Sequence, residues 1–179
     1  MEFDLDWNKE REELEKIIEK NKSNEDACIY LFLDFDGVMN QFFRPGTKGY
    51  EDLVNGIDVD ALDKECVKNI NTLCKTYPIR TILSTSWRFS GIAYCEDCLR
   101  KAGLDESINV YGSTQIEHMM PRETEILQYL YDHQDFKGFI ILDDIPMFNF
   151  NAYHVQCDPY VGFDEERLER AEYLINQFM

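Results

Sequence analysis

Apolar residues in this chain cluster into short blocks that end abruptly in polar groups. Ala27 to Leu33 is a nearly unbroken apolar run that stops at Asp34. Phe139 to Leu142 is another and stops at Asp143-Asp144, while Ile79 to Leu83 runs into Ser84-Thr85-Ser86. Blocks of this length without alternation predict parallel strands buried on both faces. Residues 108–111 and 153–157 read as weaker strands. Between the strands, apolar positions recur at helical spacing over 60–77, 91–102, 121–133 and 164–178. Pro78 and Gly103 close two of these helices, and Pro121 sits in the first turn of a third. Residues 8–22 form a charged surface helix with a narrow stripe of Leu14, Ile17 and Ile18. Residues 38–58 hold Pro45 and three glycines and predict an irregular excursion or hairpin. Strands alternating with helices predict an α/β domain, a Rossmann-like parallel sheet with helices on both faces. We place that domain at 27–179 and treat 1–26 as an N-terminal helical appendage.

Composition narrows the function classes. Acidic residues number 35 against 18 basic ones, a net charge of −17. Such a surface repels phosphate backbones and anionic lipid, which disfavours nucleic acid as a partner without excluding a local basic pocket. The 12 Phe, 10 Tyr and 2 Trp argue for a packed core rather than disorder. No apolar run is long enough to span a membrane, and the acidic start does not read as a secretion signal, so the expected location is the cytoplasm. The six cysteines are then expected to be free thiols. Cys95 and Cys98 form a lone CxxC without a second ligand pair, better read as two thiols near one helical face than as a zinc site. The acidic string Asp58, Asp60, Asp63, Glu65 lacks the glycine and the spacing of a calcium loop and reads as helix capping.

The chemistry lies at the strand ends, because ligands of open α/β sheets bind beyond the carboxyl ends of their strands. Carboxylates gathered there repel one another unless a cation sits among them, and hard oxygen donors of this kind suit Mg²⁺. Asp34 and Asp36 flank one residue, and a turn at Gly37 lets them diverge, leaving one for metal and one for proton transfer. A carboxylate can also attack phosphorus. The hydroxyls of Ser84, Thr85 and Ser86 can hold phosphoryl oxygens, with Arg88 beside them either as a further substrate contact or as the partner of one of the many acids. Arg122, opening the helix before the third polar strand end, is placed to supply positive charge to the transferring group.

These residues carry a family resemblance. Leu33-Asp34-Phe35-Asp36-Gly37-Val38 resembles the first motif of the haloacid dehalogenase-like (HAD) hydrolases, Leu83-Ser84-Thr85 the second, and Leu142-Asp143-Asp144-Ile145-Pro146 the fourth. The longer forms, running to Asn40 and through Trp87-Arg88, are similar to a capless branch that also occurs within bacterial RNA-repair proteins. Asp143-Asp144-Ile145-Pro146 additionally resembles the phosphatases that act on polymerase tails. The resemblance implies that Asp34 is a nucleophile forming an aspartyl-phosphate. Asp36 would be the general acid and then the base, with its backbone carbonyl on Mg²⁺. Ser84 would hold a phosphoryl oxygen, and Asp144 would ligate the metal, with Asp143 as second choice. The family's third motif usually carries a Lys; here the candidates are Arg122 and, as a fallback, Lys101.

A Mg²⁺-dependent phosphomonoesterase follows as the expected function. The stretch between Gly37 and Ser84 is too short for a large cap, so an open site is expected, one that admits macromolecules. The net charge turns the substrate expectation toward phosphoproteins, phosphotyrosine in particular, with Phe42, Phe43 and Tyr50 available to pack against its ring. A polynucleotide 5′ or 3′ end phosphatase is the alternative, and a non-catalytic HAD-like binding module the third reading.

Overall fold

The computed structural model describes residues 5–58, 61–115 and 120–179. Five strands, β1 (Cys28–Leu33), β2 (Ile79–Leu83), β3 (Val110–Ser113), β4 (Phe136–Asp143) and β5 (His154–Gln156), form one parallel sheet in the order β3-β2-β1-β4-β5. The expected α/β class is therefore the observed one. β1 is central and every one of its residues is buried, as its unbroken apolar sequence requires.

Side chains alternate across the sheet and build two cores. Ile29, Leu31 and Leu33 meet one layer: α3 (Lys64–Thr76), α4 (Ile92–Lys101) and α6 (Glu165–Ile175), through residues such as Ile70, Leu99 and Leu174. Tyr30 and Phe32 face the other way, onto α1 (Trp7–Asn21) and α5 (Arg122–Asp132), where Leu14, Ile126 and Leu130 pack among Phe136, Phe139 and Phe150. α1 lies against β4 with Leu14 fully buried and Trp7 set edge-on to Phe150. Asn21, at its C-terminal end, donates to the carbonyls of Gln134 and Phe136 and so ties the helix to the entry of β4.

Several boundaries differ from those read off the sequence. The 60–77 helix starts at Lys64, because the Asp63 carboxylate accepts from the N–H groups of Glu65 and Cys66 and caps it there. Residue 60, the expected start and part of the acidic string, lies outside the described residues. The excursion at 38–58 is not a hairpin; it carries a short helix, α2 (Lys48–Val54). β4 begins at Phe136 rather than Phe139, since its partner β1 extends the pairing to Cys28. β3 is shifted toward Ser113 from the expected 108–111, while Ile108 packs into the core before it.

The burial of Leu14 gives a direct test of how α1 is held. Leu14→Ala removes a fully buried side chain and should cost about 2–5 kcal/mol in chemical denaturation. A loss below roughly 0.5 kcal/mol would mean that the helix does not hold this contact in solution.

Candidate active site

Parallel strands of equal register bring their carboxyl ends to one edge. Leu33 pairs with Leu83 and Leu142, so Asp34, Ser84 and Asp143, each one residue further on, stand side by side. The N–H of Asp34 donates to the Leu142 carbonyl at 3.0 Å and that of Ser84 to the Leu33 carbonyl at 2.9 Å, extending the ladder up to the site. Carboxylate oxygens of Asp34, Asp143 and Asp144 lie within 4.8 Å of one another.

Three acids at that separation, two of them buried, cannot all ionise without help. Burial pushes the Asp34 carboxyl up from its ordinary range, opposed by Arg122, the Phe35 N–H and the Thr85 hydroxyl. Burial pushes Asp143 up to about 7, with the charge of Asp34 adding to it and Arg122 opposing. Asp144 is also raised, through burial and then the charges of Asp34 and Asp36. The Arg122 guanidinium relieves part of this: its Nη1 reaches Asp34 at 2.9 Å and Asp143 at 2.6 Å. An arginine in the first turn of α5 opposes the helix dipole, which favours acids there. Its position is explained by the two carboxylates it bridges. Among the described residues Arg122 is thus the cation at this cluster; Lys101 pairs instead with Asp97, one turn away on α4.

The remaining mismatch of charge, three carboxylates against one guanidinium, is what a divalent cation would neutralise. Oxygen-only donors fit Mg²⁺. A second observation also points to a ligand. Ser84 is wholly buried and its hydroxyl oxygen has no hydrogen-bond partner among the described residues. A buried hydroxyl without a partner costs free energy, and an oxyanion seated beside Asp34 would give it one.

Asp36 is held apart from the cluster. The chain turns at Gly37, whose φ of +73° suits a residue without a side chain. The Asp36 carboxylate then accepts from the Trp87 indole at 3.0 Å through one oxygen and from the Asn40 amide at 3.1 Å through the other. Asn40 also accepts from the Gly37 N–H at 3.0 Å, which locks the turn.

A family model describing the HAD domain in Swiss Army Knife RNA repair proteins matches residues 30–168. The chain belongs to this family. No curated protein and no solved structure matches it. The match begins inside β1 and ends inside α6, so it takes in every strand end that carries the HAD-type motifs.

Not every expected contact of this HAD domain faces the cluster. Arg88 is turned inward: it is 7% exposed, pairs with Glu125 at 2.7 Å, and donates to the carbonyls of Thr85 and Thr114. Its guanidinium ties the loop after β2 to α5, which corrects the expectation of a substrate contact. Thr85 is buried and accepts the Trp87 N–H, whereas Ser86 is exposed at the start of a short 3₁₀ turn. Cys95 and Cys98 lie one turn apart on α4 and form no disulfide.

Other supporting residues were not legible from the motifs. Glu123 accepts from the backbone N–H groups of Asn149 and Phe150 and from the Asn149 amide, anchoring the segment after Asp144. His154 is buried and its pKa is lowered by that burial; its Nε2 donates to the Asp143 carbonyl at 3.0 Å. Trp87 reads in sequence as packing, and only the fold shows its indole on Asp36.

Gly37 yields a prediction that the geometry alone dictates. A Cβ there would sit 2.9 Å from Cγ and Oδ2 of Asp144. Gly37→Ala should therefore displace Asp144 and weaken Mg²⁺ binding by roughly 10- to 100-fold in calorimetric titration, with far-ultraviolet dichroism unchanged. Wild-type affinity in the variant would remove Asp144 from the proposed metal set.

Proposed function

We propose that this HAD domain is a phosphomonoesterase that removes the terminal phosphate of a polynucleotide through an aspartyl-phosphate on Asp34. The observation that carries the reading is the convergence of Asp34, Asp143, Asp144 and Arg122 at one sheet edge, in a chain whose family is that of RNA-repair HAD domains.

Each residue has a role its position supports. Asp34 attacks phosphorus as the leaving oxygen departs. Asp36 acts as the general acid that delivers a proton to that oxygen, and its carboxylate then takes a proton from the water that hydrolyses the acyl phosphate. Inorganic phosphate leaves, and both aspartates return to their starting state. General acid catalysis of this kind is worth roughly 10²- to 10⁴-fold. The Ser84 hydroxyl donates to a phosphoryl oxygen, while the Thr85 hydroxyl, which donates to Asp34 and accepts the Trp87 N–H, orients the nucleophile. Arg122 uses one nitrogen for its two carboxylates, and a guanidinium has five N–H donors, so others can face the phosphoryl group. Asp34, Asp143, Asp144 and the Asp36 carbonyl would hold Mg²⁺, which supplies positive charge against the phosphoryl oxygens when bound.

The phosphotyrosine expectation is not carried forward. It rested on net charge and on aromatic residues near 42–50, neither of which selects a protein substrate, whereas membership of a family described from RNA repair proteins supports a polynucleotide substrate. The charge argument remains as a constraint on kinetics. A polyanion approaching a chain of net charge −17 is repelled, and salt screens that repulsion.

Steady-state assays on 5′- and 3′-phosphorylated oligoribonucleotides, phosphotyrosine peptides and an aryl phosphate, with Mg²⁺ and with chelator, test the reading. Oligonucleotide ends should give the highest kcat/KM, rising with ionic strength. Chelator and Asp34→Asn should each abolish turnover. Preference for the phosphopeptide would overturn the substrate assignment, and turnover by a clean Asp34→Asn preparation would overturn the nucleophile.

A further inference from the structure

A cavity of about 340 Å³ opens between the segment after β1 and the start of α3, a size that accommodates a small organic group. Asn40 lines it, as do Phe43, Ile57 and Leu62 on its apolar side and Lys48 and Asp63 on its polar side. Its connection to the reacting atoms runs through Asn40, whose amide donates to Asp36 at 3.1 Å. In the proposed mechanism Asp36 protonates the leaving oxygen; of its two N–H partners, Asn40 lines this cavity and Trp87 does not, so the Asn40 side offers the leaving group a cavity to enter.

The charge of the cavity restricts what it can hold. Lys48 is already bound by Asp52 and Asp63, each at 2.8 Å. Asp63 in turn also accepts from Gln41 and caps α3. With Asp58 and Glu65 also on the wall, acids outnumber Lys48 and Lys64. A second phosphate would be repelled there. An uncharged group with N–H and O–H donors and a flat apolar face would not be, and Phe43, half exposed, offers a ring against which a base can stack.

We infer that this cavity is the leaving-group subsite and receives the terminal nucleoside of the phosphorylated strand, with the rest of the strand outside its mouth. The inference rests on the polynucleotide reading above. It also gives a chain of this charge a way to bind a polyanion: by one stacked, uncharged nucleoside rather than by phosphate contacts.

The test compares Phe43→Ala, which removes the ring, and Ala61→Trp, which fills the cavity from an exposed lining position. Each is assayed on oligonucleotides ending in a 3′- or a 5′-phosphoadenosine, run separately, and on acetyl phosphate, whose leaving group is too small to reach the cavity. Both variants should lower kcat/KM on one of the oligonucleotides by about fivefold or more, chiefly through KM. Acetyl phosphate hydrolysis should stay within about twofold of wild type. Oligonucleotide kinetics unchanged in both variants would overturn the subsite. An equal fall on acetyl phosphate would overturn it too, since the change would then be structural. If the wild-type protein hydrolyses acetyl phosphate but neither oligonucleotide, the polynucleotide reading itself fails and the subsite with it.

Discussion

Repulsion among three neighbouring carboxylates is the constraint on which the site depends. The parallel sheet forces the contact: β1 and β4 are adjacent and in register, so Asp34 and Asp143 cannot avoid each other. Burial makes ionisation harder still, as the upward shifts of all three acids show. Such an arrangement persists in a folded protein only where it is compensated. Arg122 supplies part of the compensation from the start of α5, at a helix end where its charge is otherwise unfavourable. The rest is a demand for positive charge, which a divalent cation and the chemistry of a phosphoryl group are suited to meet.

The same turn that brings Asp144 close sends Asp36 away. Gly37 leaves no room for a side chain between the two loops, and two N–H donors, from Trp87 and Asn40, hold both oxygens of Asp36. Two aspartates separated by one residue thereby acquire different surroundings, one among acids and arginine, the other among neutral donors. Behind them, the buried Arg88–Glu125 pair ties the loop after β2 to the helix that carries Arg122. The supporting residues thus link three strand ends and one helix into a single arrangement.

Much of this was legible in the sequence because it depends on local pattern. Apolar runs that end in Asp34 and Asp143-Asp144 announce buried parallel strands and place their polar ends at one edge. Arg122 could be picked out because a proline-led helix start precedes the third of those strands. What stayed illegible depends on long-range contact. Arg88 reads as a substrate contact or as the partner of some acid, and only the fold shows that the acid is Glu125, 37 residues further on, which turns it inward. Trp87 and Asn40 meet Asp36 through the turn at Gly37, and no spacing rule predicts an indole there. The short helix α2 was missed because the glycines and Pro45 around it signal irregular backbone more strongly than its few residues signal a helix. The substrate class was not legible for a related reason: net charge is a sum over the surface and says little about one edge of a sheet.

The proposed function turns on one step, covalent phosphorylation of Asp34. An Asp36→Asn variant should form that bond but hydrolyse it slowly, for want of a base. Acid-quenched mass spectrometry of this variant, after brief exposure to acetyl phosphate and Mg²⁺, should find a single added phosphoryl group on the peptide containing Asp34. Asp34→Asn in the same background should show none. A phosphoryl group at another residue, or turnover with no covalent species under conditions where Asp36→Asn is demonstrably slowed, would contradict the account.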